Sequence, residues 1–167
     1  MANYSYSASG GAGAGYHAII NVTEVGNYSI TVGSGGMGIG SGAGGSPVGL
    51  NGSDTTFKSP SNITLISAGG GTGGRSGPTW ATAGTGGTLT KDASLEEETI
   101  YTSKNGDNGS SYAGGAGYNV PGAAGPISGH SWGSTGNANG TFSGGRVTSS
   151  KHGYFYIKYI GPLPDES

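Results

Sequence analysis

Residues 62–78, NITLISAGGGTGGRSGP, set two kinds of backbone side by side. The first, 62–67, is rich in Ile, Thr and Leu, the composition of a strand on a half-buried sheet. The second is almost bare: in Gly70-Gly71-Thr72-Gly73-Gly74-Arg75-Ser76-Gly77-Pro78 a period of three places Thr72, Arg75 and Pro78 on one edge. Such a tract reads in two ways. It is a flexible linker, or it is a polyglycine-II-like helix with three residues per turn and no internal hydrogen bonds. In the second reading the N–H and C=O groups point outward and, once buried, must pair with neighbouring segments. Only glycine lets backbones approach that closely, as at the collagen axis.

The same alternation runs along the whole chain. Strands are expected at 16–23 (YHAIINVT), 28–32 (YSITV), 55–58, 62–67, 88–91, 99–103 and 153–160 (GYFYIKYI), with a turn at 24–27. In 28–32 the period of two puts Tyr28, Ile30 and Val32 on one face. Strand 153–160 is apolar on most of both faces, which predicts a central, buried position. Glycine-dominated tracts occupy 10–15, 33–45, 69–77, 84–87, 114–125 and 133–145. Six long slack loops inside one domain would be unusual, so the ordered bundle is the reading taken forward. Tract 36–44 differs, because its glycines recur every second residue and suit a strand with one bare face. Helix is nearly absent: 92–98 (DASLEEE) forms either one turn, with Ser94 and Glu97 as a capping box, or an acidic loop.

Composition bounds the function classes. Glycine supplies 39 of 167 residues, about three times its usual share. Glycine costs more backbone entropy to order than any other residue, so a fold that fixes this many must use the missing side chains for close approach. Charged residues are 10% and the formal net charge is −2. Seven basic residues spread thinly form no stripe, which argues against nucleic-acid binding. Cysteine is absent, excluding disulfides and thiolate metal sites. No apolar run reaches about 18 residues, so no membrane-spanning helix is expected, and residues 1–9 have no apolar signal core.

The order of the pieces resembles the glycine-rich domains of bacteriophage tail-fibre and adhesin proteins. Residues 10–16 (GGAGAGY) lead into a strand, and 27–36 (NYSITVGSGG) look like the "Y-x-I-x-V-G-x-G-G" element of that family. Residues 52–57 (GSDTTF) are similar to its "G-x-x-S-x-F" element, 63–71 run from strand into glycines, and 153–159 match its closing strand. Residues 88–112 depart from the pattern, being polar, acidic and poor in glycine, and read as an insertion. The resemblance implies a structural tip or receptor-binding module on a virion, trimeric by preference, with variable aromatic and polar residues between glycine helices touching the host.

Motifs for chemistry are weak. Residues 33–38 (GSGGMG) match G-x-G-x-x-G, but the following IGSGAGG cannot form the helix a dinucleotide site needs. Residues 129–133 (GHSWG) match G-x-S-x-G without the strand and helix of a nucleophile elbow. Residues 105–109 (NGDNG) read as an Asn-Gly turn, since one carboxylate cannot supply a calcium ion's oxygens. The three histidines lack paired metal spacing. Trp80, Tyr112, Tyr118, His130 and Trp132 sit in or beside glycine tracts. They are either exposed stacking platforms for a sugar or protein receptor or rings packed over bare glycine backbone or at a subunit interface.

The expectation is therefore a mainly β fold: a small antiparallel β-sandwich, jelly-roll-like, with an inserted polyglycine-II-like helix bundle and almost no α-helix. Residues 1–9 form an arm, 10–160 one domain and 161–167 a tail. The function expected is a non-enzymatic virion appendage, either a fibre tip or an adhesin binding a bacterial surface glycan or protein. The alternative is a purely structural filament or decoration subunit. No catalytic residue, metal or cofactor is expected, nor nucleic-acid or membrane partners. The partners expected are further copies of the chain, a trimer favoured, and other virion proteins.

Overall fold

The computed structural model of the chain describes residues 5–8, 10–36, 48–76, 80–114 and 155–158. Ten strands lie within them, all paired antiparallel, and no helix. In chain order they are β1 (Ser5–Ala8), β2 (Gly15–Asn21), β3 (Ser29–Thr31), β4 (Thr55–Lys58), β5 (Thr64–Ala68), β6 (Arg75–Ser76), β7 (Ala81–Thr82), β8 (Leu89–Lys91), β9 (Glu96–Lys104) and β10 (Ser111–Gly114).

A four-stranded sheet runs in the order β3-β4-β5-β8. Its inward face explains why these residues become strands. Phe57 in β4 is opposite Ile66 in β5, and both are buried. Tyr28 stacks on Phe57 with ring centroids 5.3 Å apart, and Phe155 lies 5.7 Å away on a tilted plane. The β4–β5 hairpin closes through Ser59-Pro60-Ser61-Asn62. Pro60 presets the first corner, Asn62 N–H donates to Ser59 O, and Asn62 takes the left-handed conformation (φ 63°) that Asn tolerates. The turn before β3 depends on Gly26, whose φ of 146° and contact with Pro60 leave no room for a side chain.

The remaining strands make two-stranded ribbons: β1 with β10, β2 with β9, and β6 with β7. Ribbon β2–β9 is bulged between His17 and Ala18 and again between Ile19 and Ile20, which bends and twists it.

Between the strands lie the glycine segments, and their hydrogen bonds are regular. Gly69 and Thr72 donate to Thr88 O and Thr85 O, while their own carbonyls accept from Ala14 and Gly11. Gly71 O and Gly74 O accept from Gly52 and Gly49, and Gly70 N and Gly73 N donate to the side chains of Asp54 and Asn51. Each set recurs every third residue, the four sets together face three neighbours (84–88, 10–14 and 49–54), and in each pair the two segments run in opposite directions. Segment 84–88 repeats the arrangement. Gly84 O and Gly87 O accept from Gly109 and Gly106, and Gly86 N and Leu89 N donate to Asn108 and Asn105. Segment 10–14 is hydrogen-bonded to 69–74, 84–88 and 105–109. Segment 33–36 lies against 50–53, with Ser53 N–H donating to Ser34 O. A Cβ built on Gly11, Gly71, Gly73, Gly84, Gly86, Gly87 or Gly106 would fall inside 3.0 Å of backbone atoms in the next segment. The glycines are there because the backbones touch.

The structure departs from the sequence expectations in several places. Residues 92–98 form no helix. Asp92 accepts hydrogen bonds from the backbone N–H and hydroxyl of Ser94, making a tight turn, and Glu96–Glu98 enter β9. Pairing with β2 outweighs the poor strand preference of three consecutive Glu. Residues 105–109 are not a turn but a segment bonded to 84–88. Residues 155–158 are outside any strand, and Tyr156 and Ile157 are 69% and 64% exposed, so this stretch is not a buried central strand. Only Phe155 packs inward. The polar stretch 88–112 supplies β8, β9 and part of β10, which close the four-stranded sheet and both longer ribbons. Residues 115–125, 133–145 and 37–44 of the glycine tracts lie outside the described residues.

Candidate functional site

Trp80 directly precedes β7 and is 42% exposed. Strand β7 pairs with β6 in the register Ser76 to Ala81 and Arg75 to Thr82, and Val48 bridges to Arg75. Both short strands lie against β1, and β7 also approaches β10. Tyr112 is in β10, opposite Ser7 of β1. Of the five aromatic residues singled out in the sequence, Trp80 thus precedes a strand that lies against the β1–β10 ribbon, and Tyr112 is in that ribbon. Tyr118, His130 and Trp132 lie outside the described residues.

A second aromatic surface was not singled out in the sequence. On ribbon β2–β9, His17 and Tyr101 stack with centroids 4.6 Å apart and planes 29° off parallel. Tyr101 is 58% exposed, and Ile100 beside it is exposed as well. The residues are 84 positions apart in sequence, and only the ribbon's register, with His17 opposite Thr102, makes them neighbours. No local signal could have paired them.

Further along the same ribbon, Tyr16 and Glu97 form a polar cluster with Lys91 of β8. Lys91 Nζ donates to Glu97 Oε1 and Oε2 at 2.8 and 2.9 Å, and Tyr16 Oη–H donates to Glu97 Oε1. Lys91 Nζ also sits 5.6 Å from the Tyr16 ring centroid, within cation–π range. The Lys91 hydrogen bond, with that from Tyr16, holds the Glu97 carboxyl below the usual carboxylate range. Burial, followed by the hydrogen bond to Glu97 and its negative charge, pushes the Tyr16 phenol well above its ordinary value. A proton donor locked to a carboxylate and an ammonium ion makes a cross-link between β2, β8 and β9.

The two nucleotide-like and nucleophile-like motifs part company here. In the first, Gly33 N donates to Thr55 Oγ1 and Ser34 N to Ser53 Oγ, and a Cβ at Gly33 or Gly36 would strike 50–54 backbone. Those amides already face neighbouring chain rather than an open phosphate cradle. The second, 129–133, lies outside the described residues. Among the described residues no three His, Asp or Glu side chains gather as a metal set.

Comparison with protein-family models, curated proteins and solved structures gives no match for this chain.

Proposed function

We propose that the chain is a non-catalytic display module of a virion appendage, a fibre tip or adhesin. In it, polyglycine-II-like helices form an antiparallel bundle carried by a small, jelly-roll-like β-sandwich. The observation that carries this reading is the recurrence of hydrogen bonds at every third residue of 69–74, 84–88 and their neighbours, the repeat of a three-residue helix with outward-pointing amides. Such a bundle is a stiff support and needs no large apolar core. Phe57 and Ile66 are the only large apolar side chains buried among the described residues. The strand order and glycine segments resemble the phage tail-fibre family, which supplies the virion assignment, the trimeric preference and the bacterial glycan or protein receptor.

Exposed rings at Trp80 and at the His17–Tyr101 stack favour receptor contact, since flat aromatic faces bind sugars and apolar side chains by stacking. The exposed aliphatic side chains Ile30, Val32 and Ile63 favour the second reading, a structural subunit whose apolar surface is covered by further copies. Binding of purified, folded protein to host cells separates the two. The adhesin reading expects saturable binding that Trp80→Ala or Tyr101→Ala weakens about tenfold or more, as for a stacking anchor, with thermal stability unchanged. Absence of binding by protein that assembles into stable oligomers supports the structural subunit instead.

A further inference from the structure

Three Asn–Gly pairs lie within the described residues: Asn51-Gly52, Asn105-Gly106 and Asn108-Gly109. This dipeptide is chemically labile. The glycine nitrogen loses its proton to base and attacks the Asn side-chain carbon. The side-chain nitrogen leaves as ammonia, and water opens the resulting succinimide to Asp or isoaspartate. The reaction needs the Asn side chain to swing onto its own backbone and the glycine N–H to be open to base. Glycine carries no Cβ to hinder the attack.

All three pairs are held in the same way. The side-chain oxygens of Asn51, Asn105 and Asn108 accept from Gly73, Leu89 and Gly86 at 2.9, 2.8 and 2.8 Å. The amides of Gly52, Gly106 and Gly109 donate to Gly71, Gly87 and Gly84 at 3.0, 2.9 and 2.8 Å. Both reacting groups of each pair are therefore tied to an adjacent segment, and in each pair by two separate bonds. We propose that Asn51, Asn105 and Asn108 are latent deamidation sites that the glycine segments keep unreactive, so that deamidation there records opening of the bundle. The inference rests on these bonds alone and holds whether or not the chain binds a receptor.

The two products differ in consequence. Asp keeps the accepting oxygen, and Asp54 already fills that role toward Gly70. Isoaspartate inserts a methylene into the backbone and breaks the three-residue register. Asn108→Asp should therefore fold like the parent chain, while isoaspartate at the same site loosens segments 84–88 and 105–109.

The test is peptide mass spectrometry of the whole chain aged in mildly alkaline buffer, native and in concentrated guanidinium. Reaction through a locally opened state scales with how often that state forms. Native rates at the three sites should accordingly be slower by at least about tenfold. Gly86→Ala drives a Cβ into Gly106 O and should accelerate Asn105 and Asn108 more than Asn51. Equal native and unfolded rates at the three sites would overturn the proposal. Should Gly86→Ala fail to fold, the comparison on the parent chain decides alone.

Discussion

At the scale of single residues, the governing fact is what a methyl group would meet. A Cβ on Gly73 would collide with the backbone of Gly49, whereas a Cβ on Gly49 would meet Gly73 Cα only at 3.2 Å. These two positions face one another across the same pair of segments, yet they tolerate side chains unequally. Gly73→Ala should lower stability by about 1–3 kcal/mol, the range for forcing atoms into a filled interior, and Gly49→Ala by clearly less. Denaturant midpoints of the two variants, at unchanged slope, check the order. The hydrogen-bond caps obey the same local logic. Asn51, Asp54, Asn105 and Asn108 lend side-chain oxygens to the amides of Gly73, Gly70, Leu89 and Gly86, and each such bond contributes about 0.5–1.5 kcal/mol net.

At the scale of elements, ribbon β2–β9 is tied to the sheet through the Tyr16–Glu97–Lys91 cluster, and this gives its stability a pH dependence. Glu97 is held below its ordinary value. Its stabilisation is therefore present above the unfolded carboxyl range and is lost as pH falls through the lowered folded value. Tyr16 is raised, so its contribution is complete below the unfolded phenol value of about 10 and fades as pH climbs beyond it. Thermal melts across pH should show both flanks. Glu97→Gln should remove the acidic one, and Tyr16→Phe the alkaline one. What could be read in advance about these elements follows from how local their causes are. Strand β4 was legible because Thr55, Thr56 and Phe57 suit a pleated surface by themselves, and the turn before β3 because Gly26 marks it. Strand β9 was half-missed because Glu96, Glu97 and Glu98 are poor strand formers that pairing with β2, and the bonds of Glu97 to Tyr16 and Lys91, make acceptable. Strands β1 (SYSA) and β10 (SYAG) are four residues each, with Tyr as their one large side chain, too little to signal a strand. Their pairing is a tertiary fact.

For the whole molecule, the strands and the glycine segments do separate jobs. The sheet contributes the little side-chain core there is, around Phe57 and Ile66, and the strands set the spacing at which the glycine segments enter. The segments then hold one another by backbone hydrogen bonds, each worth about 0.5–1.5 kcal/mol net, against a high entropy cost for ordering glycine. The period of three in 70–78 was visible in the order of residues, but its partners were not. Gly11 with Thr72, or Gly106 with Gly87, join positions that no spacing relates. The candidate site was legible to the same extent: Trp80, exposed beside a glycine tract, could be named, while the His17–Tyr101 stack needed the fold. Amide hydrogen exchange of the intact chain, resolved by residue, tests the central claim most directly. Gly11, Gly69, Thr72, Gly87 and Gly106 should exchange as slowly as the amides of β4 and β5. Exchange at unfolded-chain rates in these five, with β4 and β5 still protected, would mean that the glycine segments are slack loops and would contradict the account.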